Sequence, residues 1–320
     1  MVQDKRPFKL EPLSLKNVKT YPLDDRHSKV NLEDFARPWH RGGTLTGWLG
    51  QLPNILGARD FNEVVERIVD AVAGGKTVVL AMGAHPIKVG LSPIIIDLME
   101  RGVLTGIAMN GACIIHDTEV AMVGRTSEDV SSELKQGRFG MAEDTGRVLN
   151  LAVKEGAGKG LGLGEGVGAV LFREKFPYND WSILARAYEL NVPVTVHVAI
   201  GTDIIHCHPT FDAEAVGKAS HLDFRRFARL VAGLEQGVFI NLGSAVVMPE
   251  VFLKALSLAR NLGYEVRHIT TVNMDFIRHY RPMTNVVQRP TLEGGKGYFF
   301  VGHHEIMFPL LAAAIIERLE

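Results

Sequence analysis

At 320 residues, with 46% hydrophobic and 22% charged side chains, the chain has the make-up of a globular, enzyme-sized protein of one large domain or two small ones, not of a disordered one. A net charge of −1 supplies no electrostatic footprint for nucleic acid or an anionic membrane, so neither is expected as a partner. Cys113 and Cys207 form no CxxC pair, the start MVQDKRPFKLEPL lacks an apolar core of signal-peptide length, and no run reaches membrane-crossing length; these features point to a cytoplasmic protein.

Residues 1–60 hold little periodicity, and prolines at 7, 12, 22, 38 and 53 forbid long helices. Phe8, Tyr21, Phe35, Trp39 and Trp48 recur there, so this stretch reads as an N-terminal arm packed on a domain. Residues 61–320 read as that single domain. Phe61, Val64, Val65, Ile68, Val69 and Val72 have helical spacing, closed by Gly74-Gly75. Val78–Met82 is an unbroken apolar run suited to a strand buried on both faces of a parallel sheet. It breaks at Gly83, and Ser92-Pro93 then offers a hydroxyl N-cap and a first-turn proline for a helix through Met99.

A second strand is expected over Leu104–Met109, with the turn Asn110-Gly111 and a helix over Ile114–Val123. Residues 125–138 are polar, and Met141–Val153 reads as a helix. Gly156–Gly168, GAGKGLGLGEGVG, follows no strand and lacks a GK[ST] ending, so it reads as a mobile active-site loop or a plain connection. Then come a helix Trp181–Leu190, a strand Pro193–Val198, a helix Phe224–Leu234, a strand Val238–Leu242 and a helix Glu250–Leu262. Strands over Glu265–Val272 and Phe299–Gly302 and a closing helix Ile306–Leu319 complete the pattern. This alternation predicts an α/β fold with a doubly wound, mostly parallel sheet.

Polar residues gather at the predicted C-terminal strand ends, which share one edge in a parallel sheet and can meet in one crevice. His85, His116, His197 and His206 are candidate general acids or bases, since imidazole titrates near working pH. Lys88 is a candidate anion contact or amine nucleophile. Asp203, His206 and His208 offer ligands of the kind zinc or iron takes, though their spacing matches no metal motif. No GxGxxG follows the first strand, yet glycines 83, 90, 111, 201 and 243 stand where a backbone must approach a ligand closely.

The stretches AMGAHPIKVGL, NGACIIHD, VPVTVHVAIGTDI, NLGSAVVMPEVF and HHEIMFPLLAAAII together resemble the deoxyhypusine synthase family, over about residues 77–123 and 180–319. The resemblance implies a Rossmann-like fold with NAD at the sheet edge, aminobutyl transfer from spermidine, and tetramers with active sites between subunits. On the matching positions, cofactor contacts would fall at Gly83, Ala84 and Gly90, at Asn110, Gly111 and Asp117, at Asp203, at Gly243 and Ser244, and at Asn273 and Asp275. Three positions depart from the family. Met248 stands where its catalytic lysine should be, Gly83-Ala84-His85-Pro86 replaces its hydroxyl-rich loop, and His116-Asp117 replaces its acidic pair. A thioether forms no imine, so the covalent intermediate has no partner at that position.

The expectation is therefore an NAD-binding, deoxyhypusine-synthase-like enzyme that acts on a small molecule and does not modify protein lysine, assembled as a homodimer or homotetramer. Two alternatives stand beside it: a metal-dependent hydrolase or lyase using the His/Asp cluster, and a non-catalytic ligand-binding or regulatory protein of the same fold.

Overall fold

The computed structural model describes residues 10–319. Six strands, β1 (Val78–Met82), β2 (Gly106–Asn110), β3 (Val194–His197), β4 (Val238–Leu242), β5 (Thr270–Asp275) and β6 (Lys296–Val301), form one sheet in the order β3-β2-β1-β4-β5-β6. Every pairing is parallel, so the sheet is doubly wound as expected, and its strand order reverses between β1 and β4.

Burial on both faces explains the apolar runs. In β1, Val78, Leu80 and Met82 enter one core while Val79 and Ala81 enter the other. The first core holds the helices Leu56–Ala73, Ser92–Glu100, Gly111–Val123 and His304–Leu319. The second is closed by Ala213–Ala232 and Val247–Asn261, with Phe239 and Phe252 stacked at 3.7 Å between ring centroids.

Several boundaries differ from the sequence reading. Ser92 is the first helical residue and makes no capping bond; the N-cap is Leu91. A short helix, His85–Lys88, occupies part of the turn after β1. The helix before β4 begins at Ala213, because Asp212 accepts a hydrogen bond from Ala215 N at 2.9 Å. The fifth strand starts at Thr270; upstream of it, the Val266 carbonyl accepts from the Arg260 guanidinium.

The largest correction concerns Gly156–Gly168, which is no loop. It comprises the end of helix Glu143–Gly158, a short turn, and the start of helix Leu163–Glu174. Its glycines are sites of close packing. A Cβ on Gly156 would stand 3.0 Å from the Gly166 Cα, and one on Gly164 would stand 2.1 Å from the Val194 carbonyl oxygen. Asp223 seals this corner: its Oδ2 accepts from Gly164 N and from the edge-strand amide of Val196, at 3.0 and 2.9 Å.

The N-terminal segment is exposed over much of its length in the single chain, with Leu10, Leu13, Tyr21, Phe35 and Trp39 all open to solvent. Firm packing begins at the helix Leu45–Leu49, where Leu49 is buried and Thr46 Oγ1 donates to Glu317 Oε2 at 2.7 Å.

Candidate active site

The strand-order reversal brings two backbones into contact. Gly83 N donates to Leu242 O at 3.2 Å and Gly243 N to Met274 O at 3.0 Å, so the strands stay tied one residue past their ends. A Cβ on Gly83 would lie 2.6 Å from Gly243 O. Gly243 has φ +67°, and a Cβ on it would lie 2.6 Å from the His304 ring. His304 therefore sits directly on the turn. Its Nε2 lies 3.2 Å from Met274 O, to which it must donate, while its buried Nδ1 has no partner. Burial lowers its pKa, with the Met274 carbonyl pulling the other way, and the ring is held neutral. His85 and Phe276 complete a ring cluster, at 5.4 and 4.5 Å from His304 between centroids.

Beside this cluster, at the ends of β2 and β3, lies a cavity of about 210 Å³ lined by Lys88, His116, Glu119, Glu128, Phe139 and Asp203. Asp203 is 8% exposed, and burial pushes its carboxyl up to about 6. Its Oδ2 has no partner and would lie 2.0 Å from a Cβ on Gly111, the first residue of helix Gly111–Val123. No side chain caps that helix, so its first amides stay free for another acceptor. Burial first, and the Lys88 charge second, bring His116 down to about 4. His116 Nδ1 lies 2.6 Å from Thr126 Oγ1, which reaches Glu119 Oε2 at 2.5 Å; Thr145 Oγ1 donates to Glu119 Oε1 at 3.2 Å.

The other expected residues divide by where they point. His197 leaves the crevice: its ring packs on Phe227 at 5.2 Å, its Nε2 meets Thr195 Oγ1 at 3.1 Å, and burial lowers it to about 4. His206 serves the loop, its Nδ1 accepting from Gly201 N and Asp203 N at 3.0 and 3.3 Å. That pairing fixes the backbone from which Asp203 projects. His208 donates from Nε2 to Gly140 O at 2.8 Å. Asp203, His206 and His208 do not gather around one point, and among the described residues no group of three or more His, Cys, Asp or Glu side chains is placed to hold a metal ion.

Asp117 is fully buried and turned away from the crevice. Its Oδ2 accepts from Ser182 Oγ and Leu184 N and its Oδ1 from Ile183 N, tying down the start of helix Ile183–Glu189. Asn110 Oδ1 accepts from Cys113 Sγ, and Ser244 Oγ from Met248 N. Asn273 Oδ1 accepts from Asn241 Nδ2 at 2.6 Å across the β4–β5 ladder, and Asp275 Oδ1 accepts from Phe276 N. Gly90 makes its turn at φ +79°, and Ala84 precedes the short helix His85–Lys88. Met248 lies in the second core, not in the crevice. Lys254 pairs with Glu250, and Lys296 pairs with Glu63 at the start of β6, on the opposite edge of the sheet. Lys88 remains as the lysine bordering the cavity.

Thr126, Thr145 and Phe276 carried no signal in the sequence. Glu119 did, standing three residues after His116 on the same helix face.

No family model and no curated protein matches this chain. Solved structures do. A LOR/SDH protein from Methanococcus maripaludis S2 superposes with a TM-score of 0.54 at 14% identity, over 83% of this chain and 69% of the other. A protein from Entamoeba histolytica described as a deoxyhypusine synthase gives 0.51 at 12% identity, over 89% and 97%. The chain has a deoxyhypusine-synthase-like fold. ArgZ, an arginine dihydrolase of the cyanobacterial ornithine-ammonia cycle, gives 0.50 at 16% identity; this chain covers 31% of its length. The deoxyhypusine-synthase-like sheet thus recurs inside longer proteins of other chemistry, so the fold does not by itself name a reaction. Among the described residues no helix is long and apolar enough to cross a membrane.

Proposed function

We propose that the protein is an enzyme acting on a small polar molecule held in the Lys88–His116–Asp203 cavity, with NAD or a similar dinucleotide bound along the ends of β1, β2 and β4. The observation that carries this reading is Asp203: a buried carboxylate oxygen without a partner, over an uncapped helix start at the C-terminal end of β2. A dinucleotide fits these residues. Its sugar hydroxyls can donate to the Asp203 carboxylate and its phosphates suit the uncapped helix start at Gly111, which leaves Lys88 and His116 for the small molecule. When bound, NAD supplies a hydride acceptor. The neutral His116 can hold a proton released in the cavity, and the His85, His304 and Phe276 rings shield the adjoining edge from water.

We further propose that no imine forms as in lysine-dependent aminobutyl transfer, which the burial of Met248 in the core supports. Two measurements test it. NAD at ~100 times its dissociation constant should add about 2.7 kcal/mol of stability; melting temperatures unchanged by millimolar NAD and NADP would remove the cofactor. Labelled spermidine, NAD and a lysine-bearing acceptor protein should yield no labelled product. Labelling abolished by Lys88→Ala would mean that the nucleophile has moved to Lys88.

A further inference from the structure

We infer that Thr126 and Glu119 are positioning residues that fix one tautomer of His116, with Nδ1 protonated and Nε2 bare toward the cavity. The inference rests on the cavity being the reaction site, as proposed above, and adds the device that prepares its proton acceptor.

The argument is a count of protons. Thr126 has one hydroxyl hydrogen and lies within hydrogen-bond distance of two groups, His116 Nδ1 at 2.6 Å and Glu119 Oε2 at 2.5 Å. A carboxylate only accepts, so the threonine hydrogen goes to Glu119 and the threonine oxygen must accept from His116 Nδ1–H. Thr145 Oγ1 donates to the other oxygen of Glu119, which leaves the carboxylate an acceptor at both ends and fixes its plane. His116 then carries its single proton on Nδ1, and Nε2 keeps its lone pair. No hydrogen-bond partner occupies Nε2 among the described residues, and the ring lines the cavity.

Other charged groups line the same cavity. Lys88 approaches from the turn after β1, Glu128 from the segment after the helix, and Asp203 from the loop after β3. Burial and Lys88 oppose a second proton on the ring, and the Glu119 carboxylate lies 3.9 Å from Nδ1 with Thr126 bonded to both. A ligand O–H or N–H placed at Nε2 would donate a hydrogen bond to that nitrogen. Its proton would pass to Nε2 only as electrons are drawn out of the ligand, the O–H or N–H pair staying on the ligand, and the imidazolium so formed would hold its other proton against Thr126. The arrangement is that of a base oriented by a second group, which is oriented in turn by a carboxylate. Here a hydroxyl stands between base and carboxylate, and all three come from one helix and the chain just after it.

The tautomer can be read without any ligand. In full-length protein labelled with ¹⁵N-histidine, two-bond ¹H–¹⁵N correlations distinguish Nδ1–H from Nε2–H rings. His116→Gln identifies the relevant signals among the 12 histidines. The expected result is an Nδ1–H ring at neutral pH, retained in Thr126→Ser and lost to a mixed or Nε2–H pattern in Thr126→Val. An Nε2–H ring in the unaltered protein, or a pattern indifferent to Thr126→Val, would overturn the inference. Because this readout does not involve NAD, failure here is distinguishable from failure of the cofactor proposal.

Discussion

The Asp203 carboxylate lies so close over Gly111 that a Cβ on the glycine would come within 2.0 Å of Oδ2, and yet that oxygen has no hydrogen-bond partner. A buried acceptor left in this state costs stability, and such a cost is tolerated where a ligand relieves it. Asp203→Asn should therefore make the free protein more stable and weaken ligand binding. In the folded state the carboxyl sits near 6 against an ordinary 3.8, so the native state takes up more protons over the interval between. Its penalty is fully present above about pH 6 and fades as pH falls toward 4. The variant's advantage, of order 2–3 kcal/mol at pH 7, should shrink along the same path. Denaturant melts of both proteins at pH 7 and pH 4.5 check it; a gap that widened toward acid would contradict the assignment.

Asp117, one residue after the cavity-lining His116, should behave in the opposite way. Its carboxylate accepts from three groups at the start of helix Ile183–Glu189. Asp117→Ala leaves buried donors unsatisfied and should cost about 2–4 kcal/mol. The dissociation constant for NAD, measured by calorimetry where the variant stays folded, should not move.

Two glycines in helices should respond with opposite signs to the same added methyl. Gly164 faces the Val194 carbonyl oxygen at 2.1 Å from a would-be Cβ, so Gly164→Ala should cost about 1–3 kcal/mol by forcing helix and strand apart. Gly217 sits exposed inside helix Ala213–Ala232 with nothing near it, and Gly217→Ala should stabilise by up to about 1 kcal/mol. Paired urea titrations would show the contrast.

Restoring the family's lysine by Met248→Lys should not restore its chemistry. The side chain would enter the apolar core that holds Phe239 and Phe252, where a buried ammonium costs up to about 4–7 kcal/mol or gives up its proton. Borohydride trapping with NAD and labelled spermidine should yield no adduct, and the melting temperature should fall. An adduct at this position would show that the helix start can turn toward the crevice.

The exposed aromatic and aliphatic side chains between Leu10 and Trp39 need a surface, and a second copy of the chain is the partner we expect. Light scattering at micromolar concentration should report two or four times the chain's 35.2 kDa. A particle of single-chain mass would dismiss the assembly.

How far the sequence could be read depended on how local each signal was. Val78–Met82 and Val238–Leu242 were legible to the residue, because a strand buried on both faces must be apolar throughout. The same runs, punctuated by helices, were enough to foresee the parallel sheet. Gly156–Gly168 misled because glycine in sequence speaks of freedom. Here it records what lies opposite, Gly166 against Gly156 and a carbonyl of β3 against Gly164. His197 and Asp117 misled for a geometric reason. His197 shares a strand face with Thr195, and Asp117 lies about 100° around the helix from His116. Residue type placed both near the site; only side-chain direction removed them. Thr126 was invisible because nothing in a polar stretch marks one hydroxyl as the neighbour of a particular imidazole.

The amide pair between Asn241 and Asn273 has a bearing on how the sheet assembles. Parallel strands made of apolar runs are poorly distinguished from their own slipped pairings, since a shift of two residues returns every side chain to its former face. At matched positions on β4 and β5, the two amides close a hydrogen bond in one alignment alone. A two-residue slip would break this bond, leaving the Asn273 amide without its cross-strand partner and Asn241 Nδ2 with only its local bond to Ser244 O. The pair thus works as an address, and what it delivers to its place is the Gly243 turn on which His304 rests.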